Sequence, residues 1–270
     1  MEKLRGYFKW IQLRSPMSKW SWSWKEFFNE VNQNLNDYHA LENEVRVFHE
    51  KDASGHDWAH IARVIALSEK IRSSEEQGDL HTVYLIALLH DVLDEKLYTG
   101  GKEEAEQAFL NLLYKHKFSN EECVQLQKQI DSISFKGGHG IPPTTIEAKI
   151  VQDADRLDAI GAIGVARTFA YGGAKGHPMF APQLPIRDNM TEAAYRTGKT
   201  STLHHFFEKL FLLKDRMHTE TAKELAQSRH DMMKQFVEAF IQEWTVDGSI
   251  FNKEQKTIEK MRQFIGSKYV

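Results

Sequence analysis

One cysteine, Cys123, in 270 residues leaves no partner for an internal disulfide and no ligand set for a zinc–thiolate site. The longest apolar run is the stretch VYLIALL at 83–89. A membrane-spanning helix needs roughly 20 such residues. A long apolar core is also missing near the start, so the pattern of a secretory leader is absent there. Charge of one sign is scarce: the formal net charge is −3. No basic surface for nucleic acid follows from that balance, and no nucleic-acid partner is expected. Period-two alternation, internal repeats, low-complexity tracts and flexible linkers are all lacking as well.

What is present is ordinary globular composition, 41% hydrophobic and 27% charged. That excludes wholesale disorder. The length is ample for one large core that folds without a staple. Two features stand out. There are 13 histidines, which directs attention to metal sites built from nitrogen and oxygen donors. The first 25 residues hold Lys3, Arg5, Lys9, Arg14, Lys19 and Lys25 against Glu2 alone, with Trp10, Trp20, Trp22 and Trp24 between them. This basic, Trp-rich stretch reads as an N-terminal extension. An organellar presequence or an interfacial anchor is the competing reading, and Met17 is a candidate start.

Helical periodicity dominates the rest. Apolar residues three or four apart predict helices over about 23–50, 57–72, 79–90, 102–117, 119–134, 144–170, 203–218 and 219–244. Residues 52–55 predict a break, and Ser54 or Asp57 is placed to cap the second helix. Asp79 is placed to cap the third. The stretch 171–202 carries Gly172, Gly173, Gly176, Pro178, Pro182, Pro185 and Gly198, and predicts a long irregular segment.

Three polar residues sit where the periodicity calls for apolar ones. His60 shares a face with Val64, Leu67 and Ile71. His90, followed at once by Asp91, shares a face with Val83 and Ile86. Asp153 is embedded among Ile146, Ile150, Leu157 and Ile160. A buried carboxylate without a partner is costly, so Asp153 needs a cation or strong donors. Each residue taken singly reads as a satisfied core group. Their convergence from three helices points to a divalent metal site with positions open to water and phosphate oxygens.

The order His60, His90-Asp91, Asp153 resembles the H…HD…D signature of the HD-domain phosphohydrolase superfamily. The surrounding runs HIARV at 60–64, LLHDVLD at 88–94 and QDADRLDAIG at 152–161 resemble its three motif contexts. More closely, the chain is similar to the bacterial stand-alone branch of predicted HD-superfamily hydrolases. That branch shows a Ser-His-Asp-Trp-x-His-x-x-Arg-Val run, in which Gly55 here replaces the serine. The segments FKGG at 135–138 and HFFEKL at 205–210 are similar too. The likeness covers roughly residues 30 to 245. It implies an all-α fold, an HD-domain helical bundle with additional C-terminal helices. The implied layout is an extension over 1–25, the HD domain over 26–245 and a helical tail over 246–270.

The resemblance further implies one divalent ion, from among Mn, Mg, Co, Ni, Fe and Zn with Mn favoured, held by His60, His90, Asp91 and Asp153. The implied chemistry is metal-dependent phosphohydrolysis of a nucleotide, from nucleoside triphosphate to monophosphate and pyrophosphate. The alternatives are 5′-nucleotidase-type hydrolysis of a monophosphate and a non-catalytic nucleotide-binding regulator. Di-iron or cyclic-dinucleotide chemistry calls for further histidines, and only His116 and His139 lie between 91 and 153. Asp94 is the expected group on the attacking water, and His56 a substrate-contacting residue or a cap. Arg63, Lys96, Lys136, Arg156, Arg167, His205 and Lys209 are candidates to hold the rest of the substrate, and pairing with a nearby carboxylate is the equal reading for Arg63. The expected compartment is the cytoplasm, and a homodimer is a candidate assembly.

Overall fold

The computed structural model describes residues 38–50, 57–134, 140–188, 190–191, 198–245 and 255–266. The chain divides into two units, residues 1–39 and 40–270. Of the first, only Tyr38 and His39 are described. The expected helix before residue 38, the break at 52–55, His56, the loop holding Lys136 and the Lys96 side chain all lie outside the described residues.

The centre of the larger unit follows from the one strongly apolar segment. Residues 83–89 are buried on every side of helix α3 (Leu80–Leu89). A helix apolar all round has to be wrapped by others. Helix α2 (Trp58–Glu75) packs along it, and α6 (Ile146–Asp158) packs on both α2 and α3. Helices α1 (His39–His49), α4 (Gly101–Lys115) and α5 (Asn120–Ile130) complete this half, with α5 against α3. Helix α7 (Gly161–Ala174), the short α8 (Thr202–Glu208), the long α9 (Glu220–Trp244) and α10 (Gln255–Ile265) form the C-terminal half. Helix α9 packs on α2, α6 and α7. Among the described residues there is no strand, and the class is all-α as the periodicity requires. None of their helices is long and apolar enough to cross a membrane.

Side-chain caps set several helix starts. Asp57 accepts from the His60 amide at 2.8 Å, and Asp79 from the Thr82 amide at 2.8 Å. Ser119 and Glu122 form a reciprocal capping box on α5.

Two expected helices are corrected. The segment 144–170 is two helices, because the chain turns at Ile160 and Gly161. Gly161 has a φ of +77°, and a side chain there would run into Arg229. Arg229 reaches over the break and donates to the Leu157 carbonyl in the last turn of α6, which also accepts the Ile160 amide. The segment 203–218 is α8 followed by two short 3-10 turns, Leu210–Leu212 and Lys214–Arg216.

Beyond α7, the described part of 175–201 is irregular but tied down. Arg187 donates to the buried Glu208 carboxylate through Nε at 2.8 Å and NH2 at 2.7 Å, and the Thr200 hydroxyl adds a third bond at 3.0 Å. His204 donates from Nε2 to the Leu184 carbonyl at 2.9 Å and accepts at Nδ1 from Ser201 at 2.6 Å.

Candidate metal centre

His60 lies in the first turn of α2, and His90 and Asp91 follow the end of α3. Since α2 lies along α3, the three side chains meet in the interior. They are 1%, 7% and 8% exposed. Their donor atoms lie within 4.8 Å of one another. His60 Nε2 is 3.2 Å from His90 Nε2 and 3.3 Å from Asp91 Oδ2, and His90 Nε2 is 3.5 Å from Asp91 Oδ1.

Hydrogen bonds on the far sides of the two rings assign their tautomers. His60 Nδ1 is 2.8 Å from Asp158 Oδ2, an ionised carboxylate oxygen that can only accept. His90 Nδ1 is 2.8 Å from the Ala87 carbonyl, which also can only accept. Both Nδ1 atoms therefore carry the proton in the neutral rings, and both Nε2 lone pairs face each other. Two lone pairs at 3.2 Å repel unless a proton or a metal cation stands between them. With metal–ligand bonds of about 2.1 Å, neighbouring ligands stand about 3.0 Å apart in an octahedron and about 3.4 Å apart in a tetrahedron. The observed 3.2–3.5 Å spacings lie within about 0.1 Å of that range. These residues fit a divalent ion.

Asp153 is not part of this group. Its carboxylate accepts from the His218 amide at 2.9 and 3.0 Å, and from the Thr219 amide and hydroxyl at 2.8 Å each. Thr219 is the N-cap of α9, so Asp153 holds that helix start onto α6. Burial raises its pKa against the lowering effect of these donors. The sequence reasoning asked for a cation or strong donors, and the donors of α9 are what it meets.

The carboxylate from α6 that does approach is Asp155. Its Oδ1 is 3.6 Å from His60 Nε2 and 4.0 Å from His90 Nε2, with the side chain 28% exposed. Two residues apart on a helix means roughly opposite faces, so 153 and 155 diverge. Asp155 was missed because it flanks the apolar stripe instead of interrupting it. Its i,i+3 pairing with Asp158 was the available signal.

Asp158, also missed, is 2% exposed and accepts four N–H bonds. Besides His60, these come from Arg63 Nε at 2.6 Å, Arg63 NH2 at 3.0 Å and Arg167 NH1 at 2.7 Å. Burial opposes its charge, yet His60, Arg63 and Arg167 hold it well below the usual carboxylate range. Burial likewise opposes a charge on His60. The carboxylates of Asp158 and Asp91 outweigh it and push the metal-free ring up to about 9.

The remaining candidates separate. Asp94 is half-buried in the turn that carries Asp91, its amide bonded to the Asp91 carbonyl at 3.0 Å. Arg63 and Arg167 are both engaged by Asp158, the carboxylate pairing that was the alternative reading for Arg63. Arg156 turns away from the cluster and donates to the Arg216 carbonyl. His205 is on α8 and Lys209 is its C-cap. Burial, with Lys209, Arg187 and His177 as cationic neighbours, lowers the His205 pKa to about 3.

Comparison with known proteins places the chain in a family. The sequence model of the HD domain matches residues 57–160. The chain is 40% identical to YpgQ of Bacillus subtilis over 188 residues, 69% of this chain and 83% of YpgQ. The crystal structure of YpgQ in complex with ADP aligns at 36% identity and a TM-score of 0.57, over 75% of this chain and 97% of that one. A Lactobacillus plantarum protein aligns at 34% identity and a TM-score of 0.72, covering 78% and 98%. An HD-superfamily hydrolase of Bacillus thuringiensis aligns at 40% identity and a TM-score of 0.58, covering 78% and 97%. On this likeness, and with His60, His90 and Asp91 assembled as they are, the chain belongs to the HD-domain family.

Proposed function

We propose that the protein is a divalent-metal-dependent phosphohydrolase acting on a nucleotide, converting a nucleoside triphosphate to the monophosphate and pyrophosphate. The observation that carries this reading is the inward-facing pair of imidazole lone pairs at 3.2 Å, closed by the Asp91 carboxylate. Support for a nucleotide comes from YpgQ, which binds ADP in its crystal structure. We assign the ligands as His60, His90, Asp91 and, in place of Asp153, Asp155. An all-nitrogen and oxygen set suits Mn better than a thiophilic ion. When bound, such an ion supplies Lewis acidity toward a phosphoryl oxygen and lowers the pKa of a coordinated water.

The chain's own residues divide the remaining work. Asp94, in the same turn as Asp91, orients the attacking water and takes its proton. Asp91 and Asp155 carry the negative charge that binds the cation. The apolar walls of α2 and α3 keep bulk water from the buried side of the site. His56, Lys96, Lys136, His205 and Lys209 are the candidates to hold the polyphosphate or the nucleoside.

The test is metal-dependent release of phosphate or pyrophosphate across a panel of nucleoside mono-, di- and triphosphates. Chelated protein should be inactive and Mn2+ should restore turnover. Asp91→Ala should abolish it, and an Asp91→Ala protein with full activity would show the site to be elsewhere. Release of phosphate from monophosphates alone would favour the nucleotidase reading.

A further inference from the structure

We infer that Asp158 is the positioning residue of the metal site: clamped by Arg63 and Arg167, it fixes the His60 ring so that Nε2 faces the cation. This rests on the reading of His60 as a ligand. Asp158 itself touches neither substrate nor metal and acts through His60.

The argument starts from the two histidines, which are oriented by different means. His90 donates its Nδ1 proton to the carbonyl of Ala87, one turn earlier on its own helix. That acceptor is backbone, so the orientation is built into α3. His60 donates its Nδ1 proton to a side chain 98 residues away, so its orientation depends on how the helices pack. A free imidazole chooses between two tautomers and rotates about χ2, and only one arrangement offers Nε2 to the ion. The Asp158 carboxylate oxygen at Nδ1 selects the tautomer that leaves Nε2 open to the ion.

That carboxylate is itself over-determined. Arg63, three residues after His60 on α2, grips both its oxygens at 2.6 and 3.0 Å. Arg167 from α7 grips Oδ2 at 2.7 Å. A guanidinium stays charged at any working pH and cannot accept, so Asp158 is kept as an acceptor-only group. The clamp joins α2, α6 and α7, the last brought alongside by the turn at Gly161. Arg63 and Arg167 thus act as buttresses, although their type and spacing also suit phosphate. Outer partners of this kind typically change metal affinity by about 10–100-fold when removed.

The experiment is calorimetric Mn2+ binding to chelator-stripped protein, with circular dichroism to verify folding and nucleotide kinetics over a Mn2+ series. The proteins are wild type, Asp91→Ala, Asp158→Asn, Arg63→Gln and Arg167→Gln. Expected are binding by wild type, none by Asp91→Ala, and binding weakened about 10–100-fold in Asp158→Asn. The two arginine variants should show a smaller loss of the same kind. Excess Mn2+ should restore turnover in the clamp variants with an unchanged KM for nucleotide, which a merely structural lesion would not do. Wild-type Mn2+ affinity in folded Asp158→Asn would overturn the inference alone. If Asp158→Asn does not fold, the arginine variants decide. Wild-type Mn2+ affinity with a raised KM in Arg167→Gln would make that residue a substrate contact and overturn the clamp. Absence of Mn2+ binding by the wild type would overturn the metal-site reading, and the inference with it.

Discussion

Asp153 and Asp155 make opposite predictions although they are two residues apart. Replacing Asp153 with Ala orphans the amides of His218 and Thr219 inside the protein. A buried donor left unsatisfied costs about 1–3 kcal/mol. Two such groups give about 2–6 kcal/mol, reduced by relief of the carboxylate's own burial, so a net loss near 3 kcal/mol is expected. For a unit of this size that is about 6–12 °C in Tm. Replacing Asp155 with Ala removes a side chain that is 28% exposed and stands 3.6 Å from its nearest imidazole nitrogen. Chelated Asp155→Ala protein should melt within about 0.5 kcal/mol of wild type. Its Mn2+ affinity should fall by more than the roughly 10–100-fold typical of an outer partner, because a ligand is lost. Differential scanning calorimetry with and without EDTA, paired with Mn2+ titration, reads both numbers. A wild-type melting point combined with lost Mn2+ binding in Asp153→Ala would sink the assignment of α6.

Three other outcomes follow from the packing and charges. Arg187→Ala leaves the Glu208 carboxylate buried without its bidentate partner, and thermal melts should show a loss of about 3–5 kcal/mol. Gly164→Ala places a Cβ 2.2 Å from the Ala159 carbonyl oxygen, a backbone atom that cannot step aside, so a loss of about 1–3 kcal/mol or more is expected. In metal-free protein the folded pKa of His60 is raised from 6.5 to about 9. Its contribution is thus fully present below pH 6.5 and disappears as pH rises through 9, by up to about 3 kcal/mol. Metal binding competes with that proton, so the melting-point gain from Mn2+ should grow over the same window. A gain that stays flat between pH 6.5 and 9 would contradict the charge state assigned to His60.

The helical class and most helix positions were legible in the sequence, because the 3.6-residue period is a local property of the chain. So were His60 and His90, each a polar group standing where an apolar one belongs, with Asp91 marked by its place beside His90, and so were the caps Asp57 and Asp79. The break at Ile160 and Gly161 was not read from the sequence, since apolar spacing continues across it. Choosing among Asp153, Asp155 and Asp158 was likewise beyond the sequence. A helix inside a bundle has several buried faces, and periodicity cannot say which neighbour each one meets. Asp153 meets the N-terminus of α9, Asp155 turns to the imidazoles, and Asp158 meets two arginines and His60. What the sequence by itself determined is an all-α protein with two histidines and two aspartates, Asp91 and Asp153, turned inward. Only the tertiary structure decided which carboxylate of α6 stands nearest the imidazoles and that Asp158 is the carboxylate that engages Arg63 and Arg167. Those outcomes depend on contacts between residues up to 98 positions apart, and such contacts exist only once the helices have packed.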